Sequence, residues 1–210
     1  MMVKAHDPEA IALASAAIER GEVICLPTDT VYGIGTDPFN AEAITALLTA
    51  KSRTRANPPP VLVASVDQAR ALTDRLPRAA EALMEAFWPG AMTIVVPARE
   101  TIGWDLGETN STVALRMPDS TTTLALLETV GPLAVTSANQ HGQPPATRVE
   151  EAIAQLGDSI SLYLDGGLVG GGGGVASTIV SVVGEPTILR HGAIADADVF
   201  AALVGPGELR

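Results

Sequence analysis

Apolar positions along this chain switch repeatedly between a helical spacing and a strand spacing, with polar caps, glycines and prolines at the changes. Between Asp7 and Gly21, Ala, Ile and Leu recur on one face of a helix. Asp7 is placed to cap it, Pro8 suits its first turn, and Gly21 stands where helices commonly end. Glu22 leads into an apolar strand at 23–26. Asn40 is placed to cap a second helix over 41–50, which ends in Lys51-Ser52-Arg53. Pro58-Pro59-Pro60 interrupts both periods and feeds a short strand at 61–64. Helical patches follow at 67–73 and 79–87, and β-branched runs at 92–96 and 112–116 read as strands. The pattern then predicts a helix over 121–130, a strand at 133–136 and a helix over 149–156. Strands near 161–164, 177–183 and 187–189 precede a terminal helix around 196–203.

This alternation predicts an α/β or α+β fold with a substantially mixed sheet. The sequence holds no internal repeat and no linker long enough to divide it, so a single domain over 1–210 is expected. The glycine-rich stretch Gly166-Gly167 followed by Gly170 to Gly174 is expected to be a mobile surface loop beside the sheet.

Composition narrows the picture. Hydrophobic residues make up 47% of the chain and aromatics only 3%, so a sizeable core must be filled by Val, Leu, Ile and Ala. No apolar run reaches the roughly 18 residues of a membrane span. Asp7, Glu9 and Glu19 interrupt the Ala-rich start, which leaves no secretory signal pattern, and a cytoplasmic location is the expectation. Cys25 is the sole cysteine, which rules out an internal disulfide and fits a reducing compartment. Within Val23-Ile24-Cys25-Leu26 it reads as a buried hydrophobe rather than a nucleophile. His6, His141 and His191 are far apart, so no structural metal site is expected. With 24 acidic residues against 13 basic ones the net charge is −11. Such a chain is a poor general binder of nucleic acid, whose non-specific affinity is mostly phosphate attraction. Any clustering of its few cations is therefore informative.

Two common nucleotide motifs fail. Gly170–Gly174 is followed by Val175-Ala176-Ser177, without the Lys-Ser/Thr pair of a P-loop. Gly33 and Gly35 lack the third glycine of a dinucleotide fingerprint. Lys51 and Arg53 end a helix, where cations complement the dipole for about 0.3–1 kcal/mol each. Together with Arg55 they also suit a phosphate clamp, with Arg as a bidentate fork and Lys as a point charge. Thr136-Ser137-Ala138-Asn139 follows an apolar strand. It reads either as a turn or as hydroxyl, amide and backbone donors presented at a strand's carboxyl end. Arg116 and Arg190 each end an apolar strand, and alongside Lys51 and Arg53 they would give an acidic protein a cationic pocket.

These residues carry a family resemblance. Pro27-Thr28-Asp29-Thr30-Val31-Tyr32-Gly33 resembles the opening signature of the YrdC-like family. Lys51-Ser52-Arg53 is similar to its Lys-x-Arg motif, and Ser137-Ala138-Asn139 to its Ser-x-Asn motif. Phe87-Trp88-Pro89-Gly90-Ala91-Met92-Thr93, Val113-Ala114-Leu115-Arg116-Met117-Pro118, Ser177-Thr178-Ile179-Val180 and Leu189-Arg190-His191-Gly192 extend the likeness in order from about 8 to 195. Thr54, Pro59, Ala176 and Ser181 depart from residues frequent in the family, and none of them removes an implied ligand group.

The resemblance implies a twisted mixed parallel and antiparallel sheet with flanking helices around a large concave cavity, in the family's short, single-domain form. Its best-known members are L-threonylcarbamoyladenylate synthases, which join L-threonine, bicarbonate and ATP, with Mg²⁺ arriving on the nucleotide. Carried over by motif, Lys51 and Arg53 would be the catalytic cations on the triphosphate. Asn57, Thr112, Ser137, Asn139 and Arg190 would complete the ATP site. Thr30, Arg116, Thr136 and Ser177 would surround threonine, with Arg116 on its carboxylate. No protein metal ligand and no general base is implied. The product would pass to a tRNA-modifying threonylcarbamoyl transferase, with direct RNA binding weak or absent. Two other readings stand beside this one: an RNA-binding module with a cationic cavity, and a paralogue making a different carbamoyl-adenylate.

Overall fold

The computed structural model describes residues 1–52 and 54–204. The chain begins with β1 (Met2–Lys4), α1 (Ala10–Glu19), β2 (Ile24–Leu26), β3 (Gly33–Thr36) and α2 (Ala41–Ala50). It continues through β4 (Val61–Leu62), α3 (Val66–Ala71), α4 (Arg78–Phe87), β5 (Met92–Pro97) and β6 (Thr112–Arg116). Next come α5 (Thr121–Val130), β7 (Leu133–Ser137), α6 (Val149–Leu156) and β8 (Leu162–Asp165). After these lie β9 (Thr178–Ser181), β10 (Thr187–Arg190) and α7 (Asp196–Val204).

Local chemistry sets several of these boundaries. Asn40 Oδ1 accepts from the backbone N–H groups of Glu42 and Ala43, both at 3.1 Å, as the capping pattern predicts. Gly21 follows α1 with φ +76°, and a Cβ there would lie 2.8 Å from Asn40 Nδ2. The start of α1 differs from expectation. Glu9 precedes it without a side-chain cap, because Asp7 is drawn into an earlier turn by its N–H bond to Lys4 O at 3.0 Å. Asp7 contributes its carbonyl instead, which accepts from Ala10 N at 3.0 Å.

Among the described residues ten strands form one mixed sheet in the order β1-β8-β2-β3-β7-β4-β6-β5-β9-β10. The β1–β8, β2–β8, β4–β6 and β5–β9 pairs are parallel, and the others antiparallel. Strand periodicity then divides the residues between two faces. Met92, Ile94 and Val96 of β5 and Val113 and Leu115 of β6 join one core with α2, α3, α4 and α6. On the other face, Ala10, Ala14 and Ile18 of α1 and Leu126 and Leu127 of α5 cover Leu26, Val135 and Leu164. Gly33 and Gly35 permit that packing, since a Cβ at either would come within 2.6 or 2.8 Å of the Val135 side chain.

That second helical layer covers only part of its face. The alternate positions of β5, β6 and β9, namely Thr93, Val95, Thr112, Ala114, Arg116 and Ile179, line a cavity of about 420 Å³ instead. Among the described residues no helix is long and apolar enough to cross a membrane.

Candidate active site

One end of the cavity is built by the loop between β2 and β3. Thr28 Oγ1 donates to Val31 O at 2.6 Å and accepts from the N–H groups of Thr30 and Val31 at 3.3 Å, which folds the segment into a tight hydroxyl-closed turn. Thr28 Oγ1 also lies 3.1 Å from Thr30 Oγ1. Arg116, at the end of β6, then meets this turn. Its Nη1 donates to Thr30 Oγ1 at 3.0 Å, its Nη2 to Asp29 Oδ1 at 2.5 Å and its Nε to Gly90 O at 3.0 Å. These bonds leave one N–H on each terminal nitrogen for a ligand. Arg116 is only 7% exposed. Burial pulls its guanidinium below the ordinary arginine value, and the neighbouring Asp29 carboxylate opposes that pull.

The Gly166–Gly174 stretch lies at the surface, as expected, with Gly166, Gly167 and Gly170 to Gly173 exposed, and it is tied to this turn. Tyr32 OH accepts from Gly166 N at 2.9 Å and donates to Gly167 O at 2.8 Å, and burial pushes the phenol up to about 12. Gly167 N donates to Asp165 Oδ1 at 2.9 Å. Gly170 takes φ +57°, and a Cβ there would lie 1.9 Å from the Thr30 carbonyl oxygen. Glycine is therefore required where the loop meets Thr30.

A second cation enters from the sheet edge. Arg190 Nε and Nη2 donate to Ser177 O at 3.0 and 2.8 Å, and Nη2 also reaches Ser177 Oγ at 2.9 Å. Ser177 Oγ shares a 2.8 Å hydrogen bond with Thr93 Oγ1.

Lys51 occupies a position that the sequence reading did not anticipate. It ends α2, as expected, but it is only 4% exposed. Its Nζ donates to Ser137 O at 2.7 Å, Asn139 O at 2.5 Å and Asn139 Oδ1 at 2.7 Å. Ser137 Oγ donates to the same Asn139 Oδ1 at 2.6 Å, and Asn139 Nδ2 donates to Gln140 O and Gln143 O. Lys51 and Asn139 thus brace the segment after β7 from behind, while Ser137 lines the cavity. Arg53 lies outside the described residues. Arg55 forms an ion pair with Asp105. Glu108 N donates to Arg55 O at 2.9 Å, which joins the two loops at the cavity's edge.

Of the nucleotide group expected from sequence, Asn57, Thr112, Ser137 and Arg190 line the cavity; of the threonine group, Thr30, Arg116, Thr136 and Ser177 do. Pro59, Leu62, Val95 and Leu189 add apolar walls, and the volume falls within the range of small-molecule sites. The sequence reading missed Asp29, Thr93 and the β5–β6 loop residues Leu106 and Thr109. Asp29 and Thr93 lie inside the family-like segments 27–33 and 87–93, but nothing in their spacing shows which neighbours they bond. Cys25 is fully buried, and burial pushes its thiol far up, so it offers no nucleophile. Among the described residues no group of three or more His, Cys, Asp or Glu is placed to hold a metal ion.

A mixed α/β sheet whose uncovered face carries Arg116, Arg190, several hydroxyls and apolar walls defines a binding protein for small, partly anionic ligands. The Sua5/YciO/YrdC family model, described as telomere recombination, matches residues 16–192, and the chain belongs to that family. A Mycobacterium tuberculosis H37Rv relative, whose name gives threonylcarbamoyl-AMP synthase provisionally, is 45% identical over 202 residues, covering 94% of this chain and 92% of its own. The threonylcarbamoyl-AMP synthase of Bacillus subtilis is 38% identical over 204 residues, covering 96% of this chain and 58% of its own. A crystal structure of Pyrococcus abyssi Sua5 complexed with L-threonine superposes with a TM-score of 0.89 at 31% identity, covering 98% of this chain and 60% of that one.

Proposed function

We propose that this protein is an L-threonylcarbamoyladenylate synthase, a nucleotidyltransferase that makes threonylcarbamoyl-AMP and pyrophosphate from L-threonine, bicarbonate and ATP. The observation that carries the reading is one cavity lined by the guanidinium fork of Arg116, by Arg190 hydrogen-bonded to Ser177, and by apolar walls. The names of the relatives and the threonine-bound Pyrococcus structure support the same assignment.

The threonine amine adds to bicarbonate with loss of water, giving an N-carboxylate. One oxygen of that carboxylate attacks the α-phosphorus of ATP, the bond to the bridging oxygen breaks, and pyrophosphate leaves. The protein's share is positioning and charge compensation rather than covalent chemistry. Arg116 would hold the threonine carboxylate through its two remaining N–H groups, with Thr30, Thr136 and Ser177 around the amino acid. Arg190, Ser137, Asn57 and Thr112 would take the nucleotide. Lys51 adds positive charge directly behind Ser137 and keeps Asn139 in place, and the family resemblance assigns Arg53 to the triphosphate. Mg²⁺ bound to the phosphate oxygens would neutralise part of their charge. The product would serve the threonylcarbamoyladenosine modification of tRNA through a downstream transferase.

Pyrophosphate release tests this reading. It should require threonine, bicarbonate and ATP together, and omission of threonine should abolish it. Equal release without threonine, or an equal rate with serine, would contradict the proposal.

A further inference from the structure

Thr28, Thr30 and Val31 all line the cavity, whereas Asp29 between them does not. Its side chain is 17% exposed and stands behind Arg116. Asp29 Oδ1 accepts from Arg116 Nη2 at 2.5 Å and from the backbone N–H of Asp119 at 3.1 Å. Arg116 is thus held by a carboxylate before any ligand arrives.

We propose that Asp29 is a positioning and specificity-determining residue: it neutralises Arg116 in advance, so that this end of the cavity accepts a zwitterionic amino acid and rejects a free anion. The inference rests on the reading that the threonine carboxylate meets Arg116. A buried guanidinium without a counter-ion attracts any anion strongly, because little water screens it. Phosphate, pyrophosphate and the triphosphate of a misplaced nucleotide would all compete for it. Beside Asp29 such an anion adds uncompensated negative charge to a buried site. Threonine brings its own ammonium, adds no net charge, and still receives the two outward N–H donors. The three bonds to Asp29, Thr30 and Gly90 also fix the fork's plane, so the carboxylate is bound in a single orientation.

The experiment measures the Michaelis constant for threonine at saturating ATP, with and without inorganic phosphate, in wild type, Asp29→Asn and Asp29→Glu. Asparagine retains an oxygen to accept from Arg116 and from Asp119 N, so it removes the charge while keeping the acceptor. In wild type, phosphate should leave the threonine constant unchanged. In Asp29→Asn phosphate should become competitive with threonine and raise that constant about tenfold, with kcat and the ATP constant unchanged. Asp29→Glu keeps the charge and should remain insensitive to phosphate. Competition by phosphate in wild type, or an Asp29→Asn variant with wild-type threonine and phosphate responses, overturns the role of Asp29. The wild-type phosphate measurement decides the matter even if Asp29→Asn fails to fold. Wild-type turnover that ignores threonine overturns the activity and this inference with it. Normal threonine dependence with an indistinguishable Asp29→Asn overturns this inference alone.

Discussion

Lys51 is as buried as the leucines beside it, 4% exposed against 5% for Leu48, yet it carries an ammonium. Its three close oxygen partners explain how that burial is tolerated. Replacing it with the apolar Lys51→Met would leave Ser137 O, Asn139 O and Asn139 Oδ1 short of a charged donor. The expected loss is about 1–3 kcal/mol of stability, above the roughly 0.3–1 kcal/mol expected of a helix-end cation, with turnover reduced about tenfold or more. Denaturant unfolding beside pyrophosphate release checks both numbers, and wild-type values in both would return Lys51 to a helix-end role. The sequence placed Lys51, Ser137 and Asn139 in matched motifs and so assembled the correct neighbourhood. It did not show which way the side chain turns, because a helix end fixes a Cα position and not the course of a four-carbon stem. Asp29 was hidden for a similar reason, since its importance lies in a bond to Arg116, 87 positions away.

Most helices and strands were legible as elements, because caps, prolines and β-branched runs act locally. β1 and β3 were not. β1 has only three residues and exists through parallel pairing with β8, with Met2 opposite Tyr163. β3 reads Gly-Ile-Gly-Thr, a composition that argues against a strand until Val135 is seen packed over both glycines. The glycine loop lies at the surface, as its composition implies, but composition does not show that its Gly170 is pressed on Thr30. Two substitutions separate conformation from contact. Gly171→Ala has nothing within 4 Å and should cost only the left-handed penalty of about 1–2 kcal/mol. Gly170→Ala carries the same penalty plus the clash with Thr30, and should lower the melting temperature further and weaken threonine binding. Equal effects of the two, read by calorimetry, would contradict the packing. Asp165 anchors the loop's other end through Lys4 and Gly167 N. The hydrogen bond from Lys4, followed by that from Gly167 N, holds its carboxyl below the usual carboxylate range. A depressed folded value means that the stabilisation is present above the unfolded value of about 3.9 and fades as pH falls through the folded one. Asp165→Asn should therefore melt earlier than wild type at pH 7, with the gap closing below about pH 4. A gap independent of pH would contradict the ion pair's role.

The whole molecule carries a net charge of −11, and Arg116 and Arg190 face a single cavity. That distribution suits one small anionic ligand and repels a long polyanion. Titration with a tRNA anticodon stem-loop at physiological salt should give a dissociation constant around or above ~100 μM, the level of loose non-specific contacts. Tight, salt-sensitive binding would favour the RNA-binding alternative. The order of strands was the least legible feature at this scale. Alternating elements imply a mixed sheet, but pairings such as β3 with β7 and β5 with β9 join segments distant in sequence, and the cavity follows from them. Helices α1 and α5 cover one part of a face and leave β5, β6 and β9 open, which local patterns do not encode. Mass spectrometry of the nucleotide product formed from ATP, L-threonine and ¹³C-labelled bicarbonate separates the proposed activity from its rivals. Threonylcarbamoyl-AMP carrying the label in its carbamoyl carbon is the predicted result. Unlabelled product, threonyl-AMP, or no adenylate at all would contradict it.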